Sequence, residues 1–282
     1  MTALSADFSC RNAPLDYWFV RLRAGDLSFL ADFILRTGTD SAEVRISLWV
    51  RGEGRVLHRS GDWKADGAEV VIGGSLFAAE RSRGWAGDVG WELYWDAGTA
   101  RIAPAMPLMN SLHPLDLELI SYPRVRIAGE VTVSGEVFPV GDAAGTLTHY
   151  WGRRLPDAWR WVSAAGPTSS GPAVEAVLMR SRLWGHRPAL VAGYLWTAED
   201  GDRAGSLLVS PVSGVLTAAG TGADFLLTGR GLTGTRRLLC SAAPEDFNDL
   251  GEDIHQTLEG RCILLGEDWP FSAVGLEYRA LP

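Results

Sequence analysis

The chain has 282 residues, of which 46% are hydrophobic and 21% charged, with a formal net charge of −8. Such a length buries a sizeable core, as two domains or one large all-β domain, and the composition is that of a folded globular protein rather than a disordered one. The acidic balance, with Lys64 as the one lysine and no basic cluster beyond arginine pairs, argues against a nucleic-acid partner.

Cys10, Cys240 and Cys262 have neither C-x-x-C nor Cys/His spacing, so neither a disulfide framework nor a zinc site is implied. The first residues lack the basic start and apolar run of a signal peptide. No window reaches roughly 18 apolar residues. A cytoplasmic protein without stable membrane insertion is expected.

The runs 17–23 and 27–35 flank Ala24-Gly25-Asp26 and predict an opening hairpin. Next, Val44, Ile46, Leu48 and Val50 alternate with Glu43, Arg45, Ser47 and Trp49, a two-faced strand. Glu43 and Arg45 read either as an ion pair in a lumen or as a solvated face. Further strands are predicted at 68–73, 88–96 and 124–140, the last interrupted by Gly129 and Gly135 at bends or bulges. Within 90–96, Trp91, Leu93 and Trp95 share one face, while Glu92, Tyr94 and Asp96 share the other. If that second face looks inward, Glu92 is a desolvated acid; if outward, a surface charge.

The segment Thr148-His149-Tyr150-Trp151-Gly152, followed by Trp159-Arg160-Trp161, holds one imidazole, one phenol and three indoles in fourteen residues. Each large aromatic buries roughly 150–250 Å², so the cluster either plugs a core or lines a pocket. Alternation puts His149 with Trp151 on one face and Thr148 with Tyr150 on the other. An imidazole against apolar walls acts as acid, base or donor near neutrality, or is a core histidine bonded to a backbone carbonyl.

After Gly152 the strand pattern restarts at 158–164 and 173–181, joined by GPTSSGP, and continues at 189–197, 205–210, 223–229 and 235–240. Gly229 to Gly234 spells G-x-G-x-x-G, but alternation follows it where a dinucleotide site needs a helix, so it reads as a hairpin turn. Only Pro244 to Leu250 looks helical, with Pro244 in the first turn and Gly251 past the end. His58, His113, His149, His186 and His255 show no ligand spacing, leaving only a metal site assembled from distant strands. G-x-S-x-G, P-loop, H-E-x-x-H and EF-hand patterns are missing. Short strands, 33 glycines and one late helix predict antiparallel barrels or sandwiches in two halves, with the break near Arg153 to Pro156.

THYWG with Trp159-x-Trp161 resembles the D-H-x-W-G…W-x-W signature of the AttH/carotenoid 1,2-hydratase group of lipocalin-like proteins. Tocopherol cyclases and lipocalin-like Diels–Alderases are more distantly similar. The Trp18 strand, EVRISLWVRGEGRV, AWRWVSAA…PAVEAVLMRSRL and the closing GLEYRALP fall where that architecture would place them. The resemblance implies an all-β protein of two lipocalin-like antiparallel β-barrels side by side, 1–153 and 154–282. It also implies a pocket for a hydrophobic small molecule of isoprenoid, polyene or polyketide type, and chemistry without a cofactor or metal.

His149, Trp151, Gly152, Trp159 and Trp161 match the signature, but Thr148 stands where it has Asp. Threonine supplies no strong acid, which disfavours carotenoid-type hydration, while a cyclase, isomerase or pericyclase that folds its substrate and polarises one carbonyl survives the change. On this reading His149 or Tyr150 polarises or protonates the substrate and Glu92 is a reserve acid. Trp49, Trp91, Trp95, Trp151, Trp159 and Trp161 shape the pocket. A non-catalytic carrier needs the same lining without an acid, and a structural two-barrel protein needs a filled interior.

Overall fold

The computed structural model describes residues 3–96, 98, 100–103, 117–183, 186–199, 205–210, 212–222, 224–232, 234–269 and 271–279. A short helix, α1 (Ala3–Asp7), precedes β1 (Leu15–Ala24), β2 (Leu27–Arg36), β3 (Ser41–Val50), β4 (Glu53–Ser60), β5 (Trp63–Asp66), β6 (Glu69–Ile72), β7 (Ser75–Ala78), β8 (Arg81–Ala86), β9 (Val89–Asp96), β10 (Leu117–Val133) and β11 (Glu136–Gly152). These eleven strands form one antiparallel sheet in the order β4-β3-β2-β1-β11-β10-β9-β8-β7-β6-β5. It curls until β3 and β4 lie beside β6 and β8.

The predicted opening hairpin forms, with Ala24 opposite Leu27 and Gly25 at φ 57° in the turn, a region open to glycine. Residue after residue of β2 is buried, because the strand has two apolar neighbours. Phe29, Ala31 and Phe33 point into the first barrel, while Leu30 and Ile34 point at the second half of the chain. The run 124–140 is two strands joined by a turn at Ser134-Gly135, both at positive φ. At Gly129 the ladder shifts register, and a Cβ there would lie 2.1 Å from the Glu92 carbonyl oxygen.

The second half begins with β12 (Ala158–Ala165), β13 (Ala173–Leu183), β14 (His186–Ala198) and β15 (Ser206–Ser210), followed by β16 (Gly214–Thr221), β17 (Asp224–Gly231) and β18 (Gly234–Ser241). It closes with β19 (Asn248–Asp249), β20 (Ile254–Thr257), β21 (Arg261–Leu264) and β22 (Ala273–Arg279). A seven-stranded sheet, β15-β14-β13-β12-β22-β20-β19, and a four-stranded one, β16-β17-β18-β21, close on a core that includes Val162, Leu195, Phe225 and Leu238. The glycine-rich segment at 229–234 is the β17–β18 hairpin, with Gly231 opposite Gly234. Thus two curled antiparallel bodies lie side by side, as the resemblance implied.

Helical structure departs from expectation at both ends. Pro244–Asp246 makes a single 3₁₀ turn, after which Phe247 turns extended at φ −89°, ψ 128° and packs its ring on Tyr278 at 5.3 Å. That packing draws the chain into β19 instead of a second helical turn. The α-helix of the structure is at the other end, and it delivers Phe8 into the mouth of the first barrel. Among the described residues no helix is long and apolar enough to cross a membrane.

Candidate active site

Strand β1 pairs with β11 so that Trp18 faces His149, Phe19 faces Thr148 and Tyr17 faces Tyr150. One face of this pair, with Trp18, His149 and Trp151, fills the first barrel; the other, with Phe19 and Tyr150, meets the second body. The alternation read from the sequence therefore separates the aromatic cluster into a plug and a wall.

His149 belongs to the plug. It is fully buried, stacked on Trp18 at 4.7 Å, with Trp151 at 5.0 Å and Phe8 at 6.2 Å. Nδ1 donates to the Asp7 carbonyl oxygen at 2.8 Å and Nε2 is hydrogen-bonded with Asp16 Oδ1 at 2.7 Å. Asp16 in turn accepts from the Arg11 backbone N–H at 2.8 Å. Both ring nitrogens are thus engaged by the protein, leaving neither for a substrate.

Trp151 packs in the same core under the Arg11 guanidinium, 5.0 Å from its ring. Trp91 and Trp95 are also inside, donating to Ser82 Oγ at 2.9 Å and the Ala79 carbonyl oxygen at 2.7 Å. Glu92 takes the solvent branch of its two readings: it is exposed and accepts a hydrogen bond from Tyr94, so nothing desolvates it as a reserve acid. Trp49 is buried among the apolar residues between the bodies, its indole against Gly54, away from any cleft wall. His113 and the side chain of His186 lie outside the described residues.

The wall side opens into a cleft between the bodies, with two lobes that share Tyr17, Leu155, Trp159 and Glu277. An apolar lobe of about 510 Å³, its open mouth included, is lined by Phe19, Tyr150, Trp161, Val177 and Met179. A polar lobe of about 830 Å³, measured the same way, is lined by Arg36, Glu43, Arg45, His58 and Glu252. Tyr150, Trp159 and Trp161 are the sequence candidates that the fold brings together here.

The charged groups where the lobes meet come from strands far apart in sequence. Tyr17 donates to Asp32 Oδ1 at 2.7 Å, and Arg45 Nε donates to Asp32 Oδ2 at 2.7 Å. The Glu43/Arg45 pair foreseen from the sequence is therefore split: Arg45 pairs with Asp32, while Glu43 accepts from Arg36 at 3.1 Å. Glu277 accepts from Trp159 Nε1 and from Gln256 Nε2, each at 2.7 Å. Burial raises its pKa above the usual carboxylate range, against the opposing pull of Arg45.

Two hydrogen-bond donors in the apolar lobe are unused. The Tyr150 hydroxyl has no partner among the described residues, and burial keeps it protonated by raising its pKa well above that of a free phenol. The Trp161 Nε1–H is buried without a partner. An unmatched buried donor costs about 1–3 kcal/mol, a cost that a ligand oxygen relieves. The ring faces are less free, since Arg279 lies 5.7 Å over Trp159 and Arg21 lies 6.0 Å over Trp161.

A second carboxyl is sealed between the bodies. Glu175 is fully buried and accepts from Ser121 Oγ at 2.7 Å and from the Tyr194 hydroxyl at 3.0 Å; Thr148 Oγ1 lies 2.9 Å from Ser121 Oγ. Thr148 supplies no acid itself, yet one carboxyl reaches this spot from β13. Burial pushes the Glu175 pKa up to about 7, against these hydrogen bonds. The folded state therefore holds this proton to higher pH than the unfolded chain. Its stabilising effect is complete below about pH 4.5 and is lost as pH rises to about 7. Urea unfolding at pH 5 and pH 8 is expected to show the wild type losing about 3 kcal/mol more than Glu175→Gln over that interval; parallel curves refute it.

Sequence reasoning missed Asp32, Glu175 and Glu277. The signal for the first two was an acid inside an apolar strand run, in Leu30-Ala31-Asp32-Phe33-Ile34 and Ala173-Val174-Glu175-Ala176-Val177. Glu277 carried no comparable signal.

No protein-family model matches the chain, and no curated protein matches it by sequence. Solved structures do match. A Nitrosomonas europaea protein provisionally designated AttH superposes with a TM-score of 0.68 at 15% identity, over 98% of this chain and 96% of that one. Kievitone hydratase from Nectria haematococca superposes at 0.64 and 14% identity, over 99% and 92%. The fold is that of the AttH-like, lipocalin-like proteins. CghA, also solved with Sch210972, has the same fold, with a TM-score of 0.63 at 11% identity over 99% and 95% of the two chains. Identities this low speak for the fold and leave the chemistry to the residues of the cleft.

Proposed function

We propose that this protein is a cofactor-independent enzyme that binds a hydrophobic small molecule in the inter-barrel cleft and isomerises or cyclises it. The observation that carries this reading is a carboxyl with a raised pKa, Glu277, in a cleft whose apolar wall offers the unpartnered Tyr150 hydroxyl. A carboxyl kept protonated near neutrality donates a proton to a double bond or carbonyl and takes one back later in the reaction. Tyr150 and Trp161 donate to a substrate oxygen and polarise it, while the apolar wall folds the chain of the substrate. A polyene, isoprenoid or polyketide skeleton of the kind made in natural-product biosynthesis fits that lining.

Hydration is the second reading, favoured by the polar lobe, which brings water to the same carboxyl, and by the shared fold with kievitone hydratase. The test is native mass spectrometry of protein purified from its own host, followed by incubation with whatever molecule is released. A product of equal mass formed by the wild type supports isomerisation or cyclisation, and one heavier by a single water supports hydration. A bound molecule that stays unchanged makes the protein a carrier and overturns the enzymatic reading.

A further inference from the structure

The four-stranded sheet buries Leu216, Phe225, Leu227 and Leu238 on one side and turns its other side to solvent. Across that solvent side, strand register sets Ala219, Leu226, Leu239 and Ile263 shoulder to shoulder in one row. Leu239 is 42% exposed, Ile263 53%, and the Leu232 side chain at the β17–β18 tip is completely exposed. Isolated exposed leucines are ordinary, but a contiguous row needs a reason.

The positions around this row carry Arg230, Arg237 and Arg261, all exposed, against one acid, Asp224. No carboxylate among the described residues pairs with any of the three arginines. In a chain of net charge −8 this is a locally basic, aliphatic face.

The chemistry selects among occupants. A second copy docking face to face about a two-fold axis would set arginine against arginine between two acidic molecules. A protein partner is usually gripped by Trp, Tyr or Phe anchors, and this row offers only aliphatic side chains. An anionic lipid surface takes both features: guanidinium groups meet the phosphates while Leu, Ile and Val enter the headgroup boundary.

We propose that this face docks the protein, reversibly and without insertion, on an anionic lipid surface. The inference stands independently of what the cleft does. The experiment is flotation of the full chain with vesicles of phosphatidylcholine alone or mixed with phosphatidylglycerol. The wild type is expected to float with the mixed vesicles only, and less as salt rises. The triple change Arg230→Gln, Arg237→Gln, Arg261→Gln should lower partitioning about a hundredfold, and Leu239→Ser with Ile263→Ser should lower it as well. Unchanged thermal midpoints confirm that these surface variants fold. No flotation of the wild type, equal flotation with both vesicle types, or full binding by the triple variant overturns the proposal. So does a dimer in light scattering that the Leu239→Ser, Ile263→Ser variant dissociates.

Discussion

Replacing Glu277 by Gln is expected to lower kcat by about 10²–10⁴-fold, the usual worth of one positioned acid–base group, while KM changes by less than about tenfold. The amide still accepts a hydrogen bond from Trp159 but has no proton to exchange, so binding and chemistry separate. In the wild type the acid must be protonated, so the rate should fall as pH rises through the raised pKa of Glu277. That limb should vanish in Glu277→Gln and persist, displaced, in Glu277→Asp. An unchanged kcat in the Gln variant would remove Glu277 from the mechanism, and with it the main support for an acid–base enzyme.

His149→Ala should act on stability instead. Its imidazole bridges the Asp7 carbonyl and the Asp16 carboxylate inside an aromatic stack, so truncation leaves a buried carboxylate without its partner and opens a cavity. Breaking a buried pair from one side costs about 3–5 kcal/mol, and the lost ring adds to that. Urea unfolding should show this loss, with kcat per folded molecule preserved. A variant with the wild-type unfolding midpoint and no turnover would instead return His149 to the chemistry. The sequence motif therefore marks this histidine for a physical reason other than catalysis: it ties the N-terminal segment, through Asp7 and Asp16, to the central strand pair.

How much was legible follows from what strand periodicity encodes. Alternation in 148–151 placed His149 and Tyr150 on opposite faces of one strand, and both faces matter, because β11 is shared between a barrel interior and an inter-barrel cleft. The same rule put Trp91 and Trp95 together with Glu92 opposite, but periodicity carries no sign. Only closure of the sheet decides which face is inside, and it put the indoles in and the carboxylate out. Local turn chemistry was equally readable at Gly25 and at Gly229 to Gly234. It failed at Pro244, where a short helical start gave way to the contact of Phe247 with Tyr278.

By itself, then, the sequence determined an antiparallel all-β chain in two halves, the faces of its strands, and an aromatic cluster at their junction, because these are consequences of near-neighbour spacing. The tertiary structure alone decided that Tyr17, Asp32, Arg45, Tyr150, Trp159 and Glu277 surround one cleft and that Glu175 is sealed beside Thr148. Those groups come from strands as much as 260 positions apart, from Tyr17 to Glu277. Their shifted proton affinities arise from burial between two bodies, and burial is a property of packing that no local pattern of residues contains.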